Sequence, residues 1–279
     1  MGFLGIEFSS CFKGKCVSMA KFLIDDEDYL DKVTNEKEQI IIVKKDKFDS
    51  FSEDVLGLGD IKEKANQVDA LSVIFDLEGF TNFCRQIDPQ LAVPEYLSEF
   101  LGWLFLQIRI ELIEEAFKEG YRTYSDLPFL AKYLGDGVLF LWDVSQLSNT
   151  QILNIVVSMK EICKNYVLKF LPAISNQVVS PPSKLRCGIA RGTIYSVGNG
   201  NDFIGPCINV SARLQKMHSL GFCFSRRGIN PEYIDESTRN EYLTKKVDIR
   251  GIGNEELVCV LKREFEALAK EDKAKFKDA

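Results

Sequence analysis

The chain has 279 residues, 46% hydrophobic and 27% charged, enough for one large domain or for a domain of about 200 residues with an appendage. Its net charge of −6, from 35 basic and 41 acidic side chains, argues against an unaided nucleic-acid binder, which usually presents a basic face. The single histidine, His218, excludes two-histidine zinc motifs and leaves carboxylates, arginines and lysines to carry catalysis.

Residues 1–68 read as an N-terminal extension of unknown role, with a strand expected at 40–44. The apolar patch at 1–8 is too short and polar for a signal peptide or membrane span, and Ile6 stands where a myristoylation signal wants Ser or Thr. Residues 71–76, Leu-Ser-Val-Ile-Phe-Asp, are an apolar run long enough for a buried strand, followed by a short helix at 79–87. Leu97, Leu101, Leu104, Ile108 and Leu112 recur every three or four residues, predicting one buried face of a helix over 93–118. The runs 129–134 and 138–142 flank Gly135-Asp136-Gly137 and predict a hairpin.

Helical spacing returns at 151–171. Strands are expected at 185–190 and 193–197, parted by Arg191-Gly192, then a helix at 207–218 with Pro206 in its first turn. The runs 222–225, 247–250 and 257–261 are strand-like, and 263–279 reads as a charged C-terminal helix. Eight cysteines without a Cys-x-x-Cys pair point to a reduced, cytoplasmic chain. The order from residue 71 is the β-α-β-β-α-β plan. It predicts an α+β fold, ferredoxin-like or palm-type, over residues 69–262, with helices on one face of a mainly antiparallel sheet.

Asp76 ends the first strand and Asp136 lies in the hairpin tip, places that become neighbours in such a sheet. Two carboxylates at one edge repel unless a cation neutralises them, and oxygen ligands suit Mg²⁺ or Mn²⁺. The Gly79-Phe80-Thr81 turn offers backbone N–H groups to a phosphate. Asn209 and Arg213, four apart, share one helix face, where Arg213 can meet a phosphate and Asn209 a ribose.

These segments resemble the class III nucleotidyl cyclases, the adenylate and guanylate cyclase catalytic domains. Residues 75–81 (FDLEGFT) and 132–137 (KYLGDG) look like the two metal motifs, and 187–192 (CGIARG) like the following strand and turn. Residues 205–214 (GPCINVSARL) look like the segment carrying the transition-state Asn and Arg. The resemblance implies a nucleoside triphosphate substrate, cyclised with loss of pyrophosphate. It implies two divalent cations, Mn²⁺ or Mg²⁺, held by Asp76, Asp136 and the Leu77 carbonyl. Backbone groups of Phe80 and Thr81 would receive phosphates, Asn209 would position ribose, and Arg213 would stabilise charge at the α-phosphate. Lys132 and Asp202 stand at the adenine-reading positions of adenylate cyclases, and Arg250 joins the substrate-binding set. A homodimer with composite sites follows, the metal residues of one chain facing the Asn and Arg of the other.

The longer runs 75–89 and 127–137, with the stretched spacing between them, resemble more closely the bacterial pyrimidine cyclases of Pycsar antiphage systems. That likeness implies cyclic CMP or cyclic UMP as product and a downstream cyclic-nucleotide-binding effector. A short 193–204 segment, with Phe203 or Tyr133 as bulky neighbours, would suit a one-ring base. The rival readings are an adenylate cyclase, favoured by Lys132 and Asp202, and an inactive cyclase-like dimerisation module. No nucleic-acid or membrane partner is expected.

Overall fold

The computed structural model describes residues 21–25, 40–114 and 123–279. They fall into two compact units, Met1–Lys62 and Glu63–Ala279. In the first unit, β1 (Lys21–Asp25) and β2 (Ile40–Lys44) pair in parallel, followed by the short helix α1 (Lys45–Asp49). The predicted strand at 40–44 is β2. The apolar patch at 1–8, Cys11, Cys16 and the tail of the helix predicted to reach 118 lie outside the described residues.

The second unit opens with β3 (Gln67–Glu78), α2 (Phe80–Phe83) and α3 (Pro89–Glu111), then two short strands, β4 (Ile113–Glu114) and β5 (Thr123–Tyr124). The hairpin β6 (Leu130–Tyr133) and β7 (Gly137–Asp143) leads to α4 (Asn149–Asn165), a π-turn at Tyr166–Phe170 and α5 (Leu171–Ile174). Next come β8 (Lys184–Val197), β9 (Asp202–Ile204), α6 (Pro206–Leu214), β10 (Phe222–Ser225) and α7 (Glu236–Arg239). The chain closes with β11 (Tyr242–Ile249), β12 (Gly253–Leu261), α8 (Lys262–Ala267), α9 (Lys270–Lys273) and β13 (Phe276–Asp278).

One sheet runs β13-β11-β12-β10-β8-β3-β7-β6, with β9 added to β8. Its β8–β10 pair is parallel and the other pairs are antiparallel, so the predicted α+β class with a mainly antiparallel sheet holds. Alternate residues of the central strand β3 serve two cores. Leu71, Val73, Phe75 and Leu77 pack with Phe100 and Leu104 of α3 and Val156 of α4. Ala70 and Ile74 pack with Leu139, Leu141 and Ala190, against Ile208 and Ala212 of α6. A strand buried on both faces must be apolar throughout, which is why 71–75 reads as a continuous run rather than an alternation. Helices therefore cover both faces, not one as expected, and α6 lies opposite α3 and α4.

Other expectations shift with packing. The buried face of α3 is led by Tyr96 and Phe100, which join Tyr166 and Phe170 in an aromatic cluster, while Leu97 and Leu101 are only partly covered. Large rings remove more apolar area than leucines and so set the rotation of the helix. The short helix expected over 79–87 is helical only at Phe80–Phe83. The expected break at Arg191-Gly192 is absent: both residues stay in β8, opposite Leu71 and Ala70. Arg191 also pairs with Asp69 at 2.7 Å.

The C-terminal helix predicted for 263–279 is two short helices and a strand. Leu268 and Ala269 between them are extended. Buried Leu268 and Phe276, with partly buried Phe265, cover β11 and β12, and β13 adds to β11 at the sheet edge. One straight helix would leave Phe276 unable to pair as a strand. Among the described residues no helix is long and apolar enough to cross a membrane.

Candidate active site

The two aspartates are brought together by the β3–β7 pairing. Asp76 stands opposite Gly137 in register, and the Leu77 N–H donates to the Asp136 carbonyl at 2.9 Å. Gly137 is required there: a Cβ would lie 2.2 Å from the Phe75 carbonyl oxygen. Gly135, at φ +93, turns the hairpin. Burial and the Asp136 charge push the Tyr133 phenol above its ordinary pKa.

Strand parity decides which face the site occupies. Ser72, Ile74 and Asp76 share the face that carries α6. The Ser72 and Ser211 hydroxyls hydrogen-bond at 2.7 Å, both fully buried, and tie α6 to that face. Close approach is possible because β8 carries Gly188 under the helix, where a Cβ would meet the Ser211 oxygen at 2.2 Å and the Gln215 nitrogen at 2.3 Å. With Ser211 turned inward, Asn209 and Arg213 are left exposed on the outer side of α6.

Asp76, Asp136, Asn209, Arg213 and Arg250 line one cavity of about 510 Å³, together with Lys216 and backbone of the β11–β12 turn at Gly251. That volume lies within the roughly 300–1,000 Å³ of small-molecule sites. Half of the ten expected site residues thus converge. The five line it within a single chain, whereas the resemblance sets the aspartates of one chain against the Asn and Arg of another.

Two cations beside Asp76, Arg186 and Lys216, belong to no motif in the sequence. Asp76 is 2% exposed, and a buried carboxylate is costly unless paired and hydrogen-bonded. Arg186 of β8 is its cross-strand partner; Nε donates to Oδ2 at 3.0 Å and the terminal nitrogen binds the same oxygen. Lys216 Nζ stands 3.6 Å from Oδ1. The only signal for Arg186 was its place in a strand that pairs with β3. Lys216 had none, since its reach depends on how α6 ends at Leu214.

The donor set fits a hard divalent cation. Among the described residues no three His, Cys, Asp or Glu side chains gather as a metal cluster, and the cavity lining offers the two carboxylates of Asp76 and Asp136. Mg²⁺ is commonly held by one or two carboxylates, with water and substrate phosphates filling the rest.

The remaining expected residues lie apart from the cavity lining. Phe80 turns its ring toward Phe83 and Tyr96, 6.0 and 6.5 Å between centroids, so only its backbone is left to face a ligand. Thr81 is exposed in the first turn of α2, where helix N–H groups lack intrahelical acceptors. Lys132 and Asp202, on β6 and β9, form a direct ion pair, and Phe203 packs edge-on against Phe129 at 5.2 Å. His218 sits away from the lining, 3.3 Å from Asp272 and against the Phe276 ring.

No protein-family model and no curated protein matches the chain. Among solved structures, the adenylyl cyclase CyaB from P. aeruginosa superposes with a TM-score of 0.54 at 14% identity, covering 75% of this chain and 99% of that one. The catalytic core of a rhodopsin-guanylyl cyclase in complex with ATPαS gives 0.49 at 15% identity over 71% and 98%. The guanylyl cyclase Cya2 gives 0.48 at 14% over 71% and 94%. At such identity the first match shows the fold: this chain is built on the plan of a nucleotide cyclase domain. It does not by itself carry activity across.

Proposed function

We propose that the chain is a nucleotidyl cyclase, converting a nucleoside triphosphate to its 3′,5′-cyclic nucleotide and pyrophosphate. The observation that carries this reading is the β3–β7 pairing, which sets Asp76 beside Asp136 at the rim of a cavity of small-molecule size. The 3′-oxygen attacks the α-phosphorus, the bond to the β-phosphate oxygen breaks, and the hydroxyl proton goes to water. Two divalent ions held by Asp76, Asp136 and the Leu77 carbonyl would acidify the 3′-hydroxyl and screen the triphosphate. Arg213 stabilises charge growing on the α-phosphoryl oxygens, Asn209 orients the ribose, and Arg250 holds the polyphosphate. Backbone N–H groups of Phe80 and Thr81 receive the terminal phosphates. Catalysis is assigned to residues 69–262, with 1–68 an extension, in a cytoplasmic homodimer whose sites are completed by the second chain.

For the base we favour a pyrimidine, giving cyclic CMP or cyclic UMP as a messenger for an antiphage effector. The support is the sequence resemblance of 75–89 and 127–137, with Phe203 held against Phe129 beside Asp202. A second reading, adenylate cyclase, is favoured by the Lys132–Asp202 pair, which stands where adenine would be read. Pocket contacts of this kind discriminate by only about 1–3 kcal/mol unless a buried polar group is left unpaired. Incubation with ATP, GTP, CTP and UTP in turn, with Mn²⁺, tests the choice. A cyclic pyrimidine product supports the first reading, cyclic AMP alone the second, and no cyclic product contradicts both.

A further inference from the structure

Each oxygen of the Asp76 carboxylate already has a cation. Arg186 holds Oδ2 through Nε and a terminal nitrogen, from a guanidinium only 17% exposed and fixed by strand register. Lys216 stands at Oδ1 with a single approach of 3.6 Å, beyond hydrogen-bond length, from a side chain 57% exposed. A divalent ion that takes Asp76 competes with one of the two for a carboxylate oxygen, and Oδ1, which accepts no hydrogen bond from Lys216, is the more open. The arginine is planar, doubly engaged and largely enclosed; the lysine is a point charge on a flexible stem.

We infer that Lys216 is an exchangeable counter-ion: it competes with a divalent cation for Asp76 Oδ1 and thereby sets the metal concentration the site requires. The inference rests on the metal-binding reading of Asp76 and adds a positioning residue to it. Three relations carry it: the division of the two oxygens, the greater exposure of the lysine, and its place in the same cavity lining as Asp136 and Arg213. Burying the Asp76 carboxylate demands such compensation, since an unpaired buried carboxylate is strongly destabilising. Leaving Oδ1 only a loose partner keeps the exchange open.

The test is Mn²⁺ binding to the full chain without nucleotide, followed by electron paramagnetic resonance of free Mn²⁺, for wild type, Lys216→Gln, Lys216→Arg and Asp76→Asn. Thermal melts check that each variant folds. Lys216→Gln removes a like charge from the metal's site and is expected to bind Mn²⁺ about three- to tenfold more tightly. Lys216→Arg, which keeps the charge, stays close to wild type. Unchanged or weaker binding by Lys216→Gln, or equal tightening in Lys216→Arg, overturns the inference. If Asp76→Asn loses Mn²⁺ in the same experiment, the metal reading survives that failure; wild-type binding by Asp76→Asn overturns both.

Discussion

Ser72 of β3 and Ser211 of α6 share a hydrogen bond of 2.7 Å that is wholly buried between sheet and helix. It is the tie that sets α6 on the face of the sheet bearing Asp76, and Gly188 beneath it makes the approach sterically possible. Gly188→Ala is therefore expected to lift α6. Overpacking of this kind costs about 1–3 kcal/mol, and here the clash is with backbone rather than a flexible side-chain end. A lower thermal midpoint together with lost cyclase activity is the expected outcome. A variant with wild-type Tm and turnover would show that α6 does not need this seat.

Arg213 is exposed on α6, so its removal should leave the fold intact. Arg213→Ala is expected to lower kcat about 10²–10³-fold, the usual loss on deleting one group that meets developing charge, with a smaller change in KM. A rise in KM at unchanged kcat would instead make it a residue of ground-state binding.

The proposed homodimer and the single-chain cavity make opposite predictions when two inactive chains are mixed. In a composite dimer, an Asp76→Asn chain and an Arg213→Ala chain rebuild one intact site from their wild-type halves. After equal mixing and exchange, activity should return to about a quarter of wild type, because half the dimers are mixed and each has one good site of two. No recovery despite proven exchange would place the whole site in one chain.

Buried thiols give a pH prediction that is independent of function. Burial pushes Cys207 and Cys259 up to about 11 from an ordinary value near 9. Cys187 and Cys223 shift the same way for the same reason. A thiol whose folded pKa is raised contributes stability fully below the unfolded value, and that stability is lost as pH climbs toward the folded value. Denaturation midpoints should thus fall between pH 9 and pH 11. At pH 8 these four should resist a thiol reagent until the chain unfolds; ready modification of all four in the native protein would contradict their burial.

Much of the site was legible because it follows from local pattern. The run ending at Asp76 and the Gly135-Asp136-Gly137 tip predict a hairpin partner by strand length and turn chemistry alone, and the register then sets Asp76 opposite Gly137. Asn209 and Arg213 share a helix face by spacing. What stayed hidden is what non-local packing decides. Arg186 meets Asp76 only once β8 is known to lie beside β3, and Lys216 only once α6 is known to end short of it. Residues 263–279 have helical composition throughout, yet the need to cover the apolar face of β11 and β12 draws Phe276 into a strand. Arg191-Gly192 carries a turn signal that flanking β3 overrides by supplying partners for both residues.

The most direct test of the central claim is joint measurement of cyclic nucleotide and pyrophosphate from CTP and UTP with Mn²⁺, for wild type and Asp76→Asn. The wild-type chain is expected to release the two in equal amounts, and Asp76→Asn, folded by circular dichroism, to release neither. Pyrophosphate without a cyclic product, or the same cyclic product from Asp76→Asn at the wild-type rate, would contradict the account.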